Sequence, residues 1–455
     1  MRPRGHLTRK DQCQMLQAVI NAFKIADLRA KIVFTLAMLA VFRLIAHVPV
    51  PGVDFAQLEQ AFDPNSPFAG LLSILTIFSG GTLENFSVAA MGVYPYITAS
   101  IIIQLLTGVI PRLTELSREG EAGRNQLNKY THWLTVPLAA LQAFGQAQLL
   151  QTQFNVLPRF GFFGPNADPF YSLVVIISLV AGTMFLVWLG ELITERGIGQ
   201  GISIIIFGGI VASLPSQLGQ LWTTTETGAG LFSVALFILF GLITIVGIVL
   251  INEGQRRIPV HYSRSIMRGG RVMRQAGSSF IPLRVNSSGM IPLIFALSIM
   301  SFPAIVAGFF TAAQTQWVRD IAFGLYNFFQ PTTAQYNIVY FFMVVLFTFF
   351  YTSVVFSQQR IAENLQKSGG AVPGIRPGPQ TDRFLNTVLN RITVAGAIFL
   401  GLVAIAPWLA GLLTGVTVLT FSSTALLILV GVAIDTMKQL EAQLLMRRYE
   451  GFINR

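Results

Sequence analysis

The sequence predicts an all-α polytopic membrane protein of ten spanning helices, and three observations carry that expectation. Of its 455 residues, 53% are hydrophobic and only 11% charged, whereas a soluble domain carries roughly 25% charge. Apolar runs of spanning length recur at 31–50, 88–110, 132–151, 170–190, 201–221, 230–251, 288–310, 336–356, 392–413 and 416–434. A bilayer needs about 20 such residues per helix. With the amino terminus inside, 28 of the 31 Lys and Arg fall in inner segments, leaving Arg159 and Arg319 outside and Arg43 within a span. That asymmetry is the positive-inside signature, and an even number of spans puts both termini in the cytoplasm.

Residues 1–27, of which the first fourteen are polar and unpatterned, show no apolar h-region and cleavage site before the first run, so a retained cytoplasmic arm is expected. Met15 offers an alternative start to Met1. The lone cysteine, Cys13, excludes an internal disulfide.

The segment after the first span is unusual. Pro67 to Gly81 (PFAGLLSILTIFSGG) is apolar but shorter than a bilayer crossing, and a polar hinge of Gly80, Gly81, Thr82, Glu84 and Asn85 follows. A re-entrant helix at 67–81 is expected, leading into a spanning helix over 88–110 kinked at Pro95. Irregular backbone at that depth is tolerated only where protein or a wet cavity surrounds it, so a cavity is expected beside the hinge.

The ten runs divide five and five about Thr223 to Gly230, which suggests an inverted repeat. The expected organisation is an arm at 1–27, a first five-helix half at 28–222, a second at 223–436 with cytoplasmic loops 253–285 and 358–390, and a tail at 437–455. From Glu253 to Arg284 the first loop carries seven arginines and no lysine. Topogenic charge with anionic lipid contact is one reading; the other is a docking surface, because arginine grips phosphate and carboxylate bidentately. In the second loop, the Gly and Pro of SGGAVPGIRPGPQTDRF predict a rigidly turned tip.

The spans carry few ionisable groups, so coupling to a small solute or ion has little to work with. Arg43 is either a counter-charge for a substrate or a partner of backbone carbonyls or another helix. His47, His132 and His261 are scattered, and no P-loop, GxSxG or HExxH motif is present; neither a metal, a cofactor nor an enzymatic activity is expected. Ile97 with Ile101, and Ile206 with Ile210, stand one helical turn apart. Such stiff pairs either face lipid and core or converge on the cavity as an apolar constriction that seals by dewetting.

Seven strings, in order along the chain, resemble the SecY-type subunit of the protein-conducting channel. They are FSGG (78–81), PYITASIIIQLL (95–106), LSREGEAGRNQLNKYT (116–131), ITERGIGQGISIIIF (193–207), QRRIPVHY (255–262), VNSSGMIPLIFA (285–296) and PGIRPGPQT (373–381). The resemblance implies ten helices in two inverted five-helix repeats around a central hourglass pore. The re-entrant helix would be the plug, with Leu71, Leu72, Ile74, Leu75, Ile77, Phe78, Gly80 and Gly81. The pore ring would be Ile97, Ile101, Ile206, Ile210, Ile294 and Ile428. Gln104 and Asn286 would make polar contacts across a lateral gate through which hydrophobic segments leave for lipid. Arg256, Arg257 and Arg376 would dock a SecA-type motor ATPase or the ribosome.

SecE-like and SecG-like small membrane subunits, signal sequences, unfolded preproteins and anionic lipids complete the implied partners, and the bacterial cytoplasmic (inner) membrane is the implied location. The runner-up reading is an inverted-repeat secondary transporter of a small solute.

Overall fold

The computed structural model describes residues 25–62, 72, 75–76, 79–161, 168–226, 231–268, 271–287, 289, 291–310, 315–359, 361–414 and 423–453. Contacts divide the chain into two units, the first holding residues 1–97, 134–219 and 428–455, the second 98–133 and 220–427. Among the described residues, four helices are long and apolar enough to cross a bilayer: Pro169–Arg196, Ile291–Gly308, Ala334–Val354 and Pro379–Leu413. Gly201–Pro215 and Ile238–Glu253 are shorter apolar helices. The chain is therefore a helical, multi-pass membrane protein.

The first unit begins with α1 (Ala26–Ala46) and the short α2 (Phe55–Ala61), whose N-cap Asp54 accepts from the Ala56 amide at 3.0 Å. The strand-like segment after α1 is stitched to the segment before the next helix: Val50 N donates to Phe86 O (3.1 Å) and Val88 N to Val48 O (2.9 Å).

Helix α3 (Tyr94–Val109) begins later than the apolar run predicts, because residues 88–93 form turns. Pro95 thus does not kink a helix; it sits in the first turn of one, where its missing N–H and fixed φ are tolerated. The turns are buried, with Ala89, Ala90, Met91 and Val93 at most 1% exposed, as irregular backbone in a membrane protein requires. The chain then bends by 103° between α3 and α4 (Pro111–Arg118).

Helix α5 (Glu121–Phe154) starts eleven residues before the apolar run that predicts it, and its 34 residues extend about 51 Å. Helix α6 (Pro169–Arg196) starts from an Asp168 cap and Pro169, and Tyr171 donates its phenol proton to Pro51 O at 2.8 Å. Helix α7 (Gly201–Glu226) follows a tight turn in which Gly199 takes φ +84°. That turn is fastened to α1 by Thr35, whose hydroxyl donates to Lys31 O (2.9 Å) and accepts from the Ile198 amide (3.1 Å). Helix α14 (Ser423–Ile453) completes the unit, its Leu440 packing with Leu28 and Ile198.

In the second unit, α8 (Leu231–Glu253) leads into β1 (Gln255–Arg268) and β2 (Arg271–Arg284). Then come α9 (Ile291–Phe310), α10 (Gln316–Phe328), α11 (Ala334–Gln359), α12 (Ile361–Lys367), β3 (Gly370–Ala371) and α13 (Pro379–Thr414). The sheet has order β2-β1-β3, all antiparallel. A β-hairpin with a third short strand therefore rises from an otherwise helical chain, where the sequence reading has only a long loop. Stacking of Phe295 on Phe347 (5.4 Å, 14°) joins α9 to α11, and Gly401 lets α13 close on Phe341.

Because Thr35 is the buried acceptor for the Ile198 amide, Thr35→Val strands that N–H at a cost of about 1–3 kcal/mol. The expected result is a lower melting temperature of the detergent-solubilised protein than for the parent, read by intrinsic fluorescence.

Candidate pore and docking surface

Two regions hold the residues singled out by the sequence. The first is the end of the segment expected to be re-entrant. Leu71, Ile74, Ile77 and Phe78 lie outside the described residues, but Leu72, Leu75, Thr76 and Ser79 are helical, and Leu72 and Leu75 are buried. The helix stops at Gly80 (φ +69°), with Gly81 N donating to Thr76 O at 2.9 Å. A left-handed glycine with that six-residue bond is the Schellman stop. Hydroxyl groups then saturate the hinge. Ser79 Oγ donates to Thr76 O (3.0 Å) and accepts from Leu83 N (3.2 Å), and the Thr82 hydroxyl lies 2.7 Å from Ala89 O and 2.9 Å from Ser79 O. Thr82 is 1% exposed, so these bonds are what make its burial tolerable.

This hinge rests on α7 through glycine against glycine. A Cβ on Gly80 would stand 3.0 Å from Gly209 Cα, and one on Gly209 would collide with the Gly80 backbone. Only two residues without side chains permit this approach. Gly209 lies between Ile206 and Ile210, so the re-entrant segment ends on the helix that carries two of the expected ring residues.

Of those ring residues, Ile206 (5%), Ile210 (4%) and Ile428 (0%) are buried in the first unit, where Ile97 is half-buried; Ile101 (6%) and Ile294 (4%) are buried in the second. Arg43 has an electrostatic partner that the sequence does not reveal: the Glu84 carboxylate of the hinge, forty-one residues on, acts on its guanidinium, which also lies 5.8 Å from the Phe42 ring centroid.

The expected gate residues are bonded as follows. Gln104 Nε2 donates to the Tyr351 hydroxyl (3.3 Å), tying α3 to α11, while Asn286 Nδ2 donates to Asn252 Oδ1 (2.8 Å) at the end of α8. Tyr351 and Asn252 were not legible as partners, since nothing in their local sequence marks them.

The second region is the sheet. Along β1 and β2, Ile258, Val260, Ile281 and Leu283 point inward while Arg257, Pro259, Phe280 and Pro282 are exposed, the period-2 alternation of a half-buried sheet. Arg257 stacks over Phe280 at 4.9 Å. Strand β3 adds to β1 through His261↔Ala371 and Tyr262↔Gly370. A Cβ at Gly370 would meet the Tyr262 ring at 2.9 Å, so glycine is required there. The apolar face shares one core with Phe356, Leu365, Val372, Leu385 and Leu389.

The two loops are thereby one body, and it carries Arg256, Arg257 and Arg376, all exposed. Arg376 sits on a turn between Gly374 (φ +80°) and Gly378 (φ +110°). Its carbonyl accepts from the buried Thr381 hydroxyl at 2.9 Å. The backbone under this guanidinium is thus fixed before any partner arrives. The hairpin itself had a sequence signal, Gly269-Gly270 after the alternation of Ile258, Val260 and Tyr262.

The family model described as SecY matches residues 87–437. A Streptomyces coelicolor protein translocase subunit SecY is 42% identical over 444 residues, covering 96% of this chain and all of that one. Its Thermotoga maritima counterpart is 42% identical over 445 residues, and the Thermus thermophilus one 40% over 444, each with 97% of this chain and 98% of the relative covered. The chain belongs to the SecY family. Among solved structures, a protein-conducting channel superposes with a TM-score of 0.60 at 16% identity, covering 91% of this chain and 92% of that one. Canine Sec61 in a ribosome–channel complex gives 0.56 over the same shares. At such identity these likenesses establish a shared fold.

If Gly209 is what lets the hinge lie on α7, Gly209→Val lifts it. In a Cys13→Ser background, a Ser79→Cys reporter, buried at 3% exposure in the parent, is expected to react with a maleimide faster when Gly209→Val is present.

Proposed function

We propose that the chain is the central channel subunit of a protein translocase, passing unfolded secretory polypeptides across the membrane and releasing hydrophobic segments sideways into lipid. The observation that carries this reading is identity of 40% or more with translocase subunits over nearly the full length of both chains. In this reading the chain has no chemistry of its own and works as one subunit of a channel complex in a bacterial membrane.

The finer architecture belongs to the same proposal. Ten spans form inverted halves at 28–222 and 223–436 about an hourglass pore, with both termini in the cytoplasm. The re-entrant segment at 67–81 is the plug, and the glycine contact on α7 supports this, since it brings the segment's end to the helix that carries Ile206 and Ile210. Ile97, Ile101, Ile206, Ile210, Ile294 and Ile428 are the collar that a translocating chain stretches. An aliphatic collar suits cargo of any side-chain chemistry because it seals by excluding water, not by recognition.

Span-level gating falls to α3 and α9, with Gln104 and Asn286 as polar contacts. Interhelical hydrogen bonds in membranes contribute about 0.6–2 kcal/mol each, enough to bias closure while remaining breakable. Hydrophobic segments then partition into lipid at about 25 cal/mol per Å² of apolar surface buried. Arg256, Arg257 and Arg376 receive the motor ATPase or ribosome, SecE-like and SecG-like subunits flank the channel, and anionic lipids meet its basic face.

Ile97→Asn or Ile294→Asn is expected to loosen the collar, so that a precursor with a defective signal sequence is exported in cells relying on the variant. Export no better than with the parent counts against the collar. Arg376→Glu is expected to abolish most motor-driven export into proteoliposomes while the subunit assembles normally. Unimpaired export would remove Arg376 from the docking surface.

A further inference from the structure

On the flank of the second unit, α11 and α13 leave between them a groove of about 520 Å³ lined by Phe349, Phe350, Ser353, Asn390, Arg391 and Val394. Its chemistry changes along its length. Ser353, Asn390 and Arg391 are exposed and polar, and they lie where both helices run towards the sheet. On α13, Arg391 is the last charged residue before the apolar stretch that starts at Ile392; on α11, Phe349 and Phe350 lie about two turns inside the end of the apolar run at Phe356. Beyond the groove, exposed apolar residues continue at helical spacing, Leu346 (60%) and Phe342 (64%) on α11, Ile398 (47%) and Leu402 (48%) on α13. No carboxylate among the described residues pairs with Arg391.

We propose that this groove is a binding site for one anionic phospholipid. Its phosphodiester is held by the Arg391 guanidinium, and an acyl chain lies over Phe350 and Val394. Three features fit that ligand. A guanidinium at the membrane boundary matches a phosphate bidentately. The Asn390 amide and Ser353 hydroxyl supply donors at the level of the glycerol esters. The aromatic floor and the aliphatic stripe beyond it take the chain. The rim also lies in the unit that carries the arginine-rich hairpin, so a lipid seated there adds negative charge on the side of the basic sheet. The inference rests on the membrane spans alone and stands whether or not the chain conducts polypeptides.

The test uses the full-length protein with its co-purifying subunits, reconstituted in nanodiscs. Phosphatidylglycerol carrying a diazirine near the middle of one acyl chain is photolysed, and the cross-linked peptides are mapped by mass spectrometry. Cross-links are expected on the α11 and α13 peptides bearing Phe350 and Val394. Arg391→Gln should lower them about fivefold, the worth of one basic side chain at an anionic surface. The same probe on phosphatidylcholine should label these peptides several-fold less than phosphatidylglycerol. Val394→Trp, which fills the groove, should remove the cross-links while leaving the melting temperature near that of the parent. Equal labelling by both headgroups, or labelling indifferent to Arg391→Gln, would overturn the proposal. So would an absence of cross-links in the parent, the outcome expected if a protein partner covers the groove.

Discussion

Buried backbone that leaves the helix must find its hydrogen bonds within the protein, and the hinge between Ser79 and α3 is where this chain meets that demand. From Ser79 to Ala89 it is answered by a Schellman stop at Gly80, by hydroxyls of Ser79, Thr82 and Ser87 turned onto nearby carbonyls, and by backbone bonds of Phe86 and Val88 to the segment after α1. The two ends of the hinge differ in this respect: Ser79 to Leu83 is bonded to itself through hydroxyls, while Phe86 and Val88 are tied to the segment after α1. The hinge's hold on α7 includes a contact of another kind, the van der Waals approach of Gly80 to Gly209.

Much of this was legible in the sequence, and the reasons differ by element. The long apolar helices follow from composition, since burial in lipid leaves little choice but uniform hydrophobicity; α6, α9 and α11 appear close to their runs, whereas α13 starts thirteen residues before its run, inside the expected loop. The glycine stop at Gly80 and Gly81 was legible because a short apolar segment there is followed by Gly-Gly and polar residues. Pro95 shows where such reasoning fails. A proline within an apolar run can kink a helix or begin one, and the choice depends on whether the preceding residues find tertiary partners, as Val88 does with Val48.

Long-range pairings were the least legible. Arg43 and Glu84, Gln104 and Tyr351, and Asn286 and Asn252 are joined by folding alone, with no local pattern to announce them. The hairpin is a different lapse. Its strands pair over fourteen residues each and alternate inward and outward at 257–260 and 280–283, but seven arginines drew the reading towards charge, away from periodicity. Arg256, Arg257 and Arg284 are exposed; the scaffold that presents them was not foreseen.

That scaffold has a mechanical corollary. Two segments more than a hundred residues apart, His261–Tyr262 and Gly370–Ala371, share one ladder, and beneath it sit Leu385, Val388 and Leu389 from the opening turns of α13. A tug on either basic arm therefore arrives at the same 36-residue rod, which continues from this body through its apolar stretch to Thr414. Whatever grasps the outer ribbon holds, in effect, the handle of a lever.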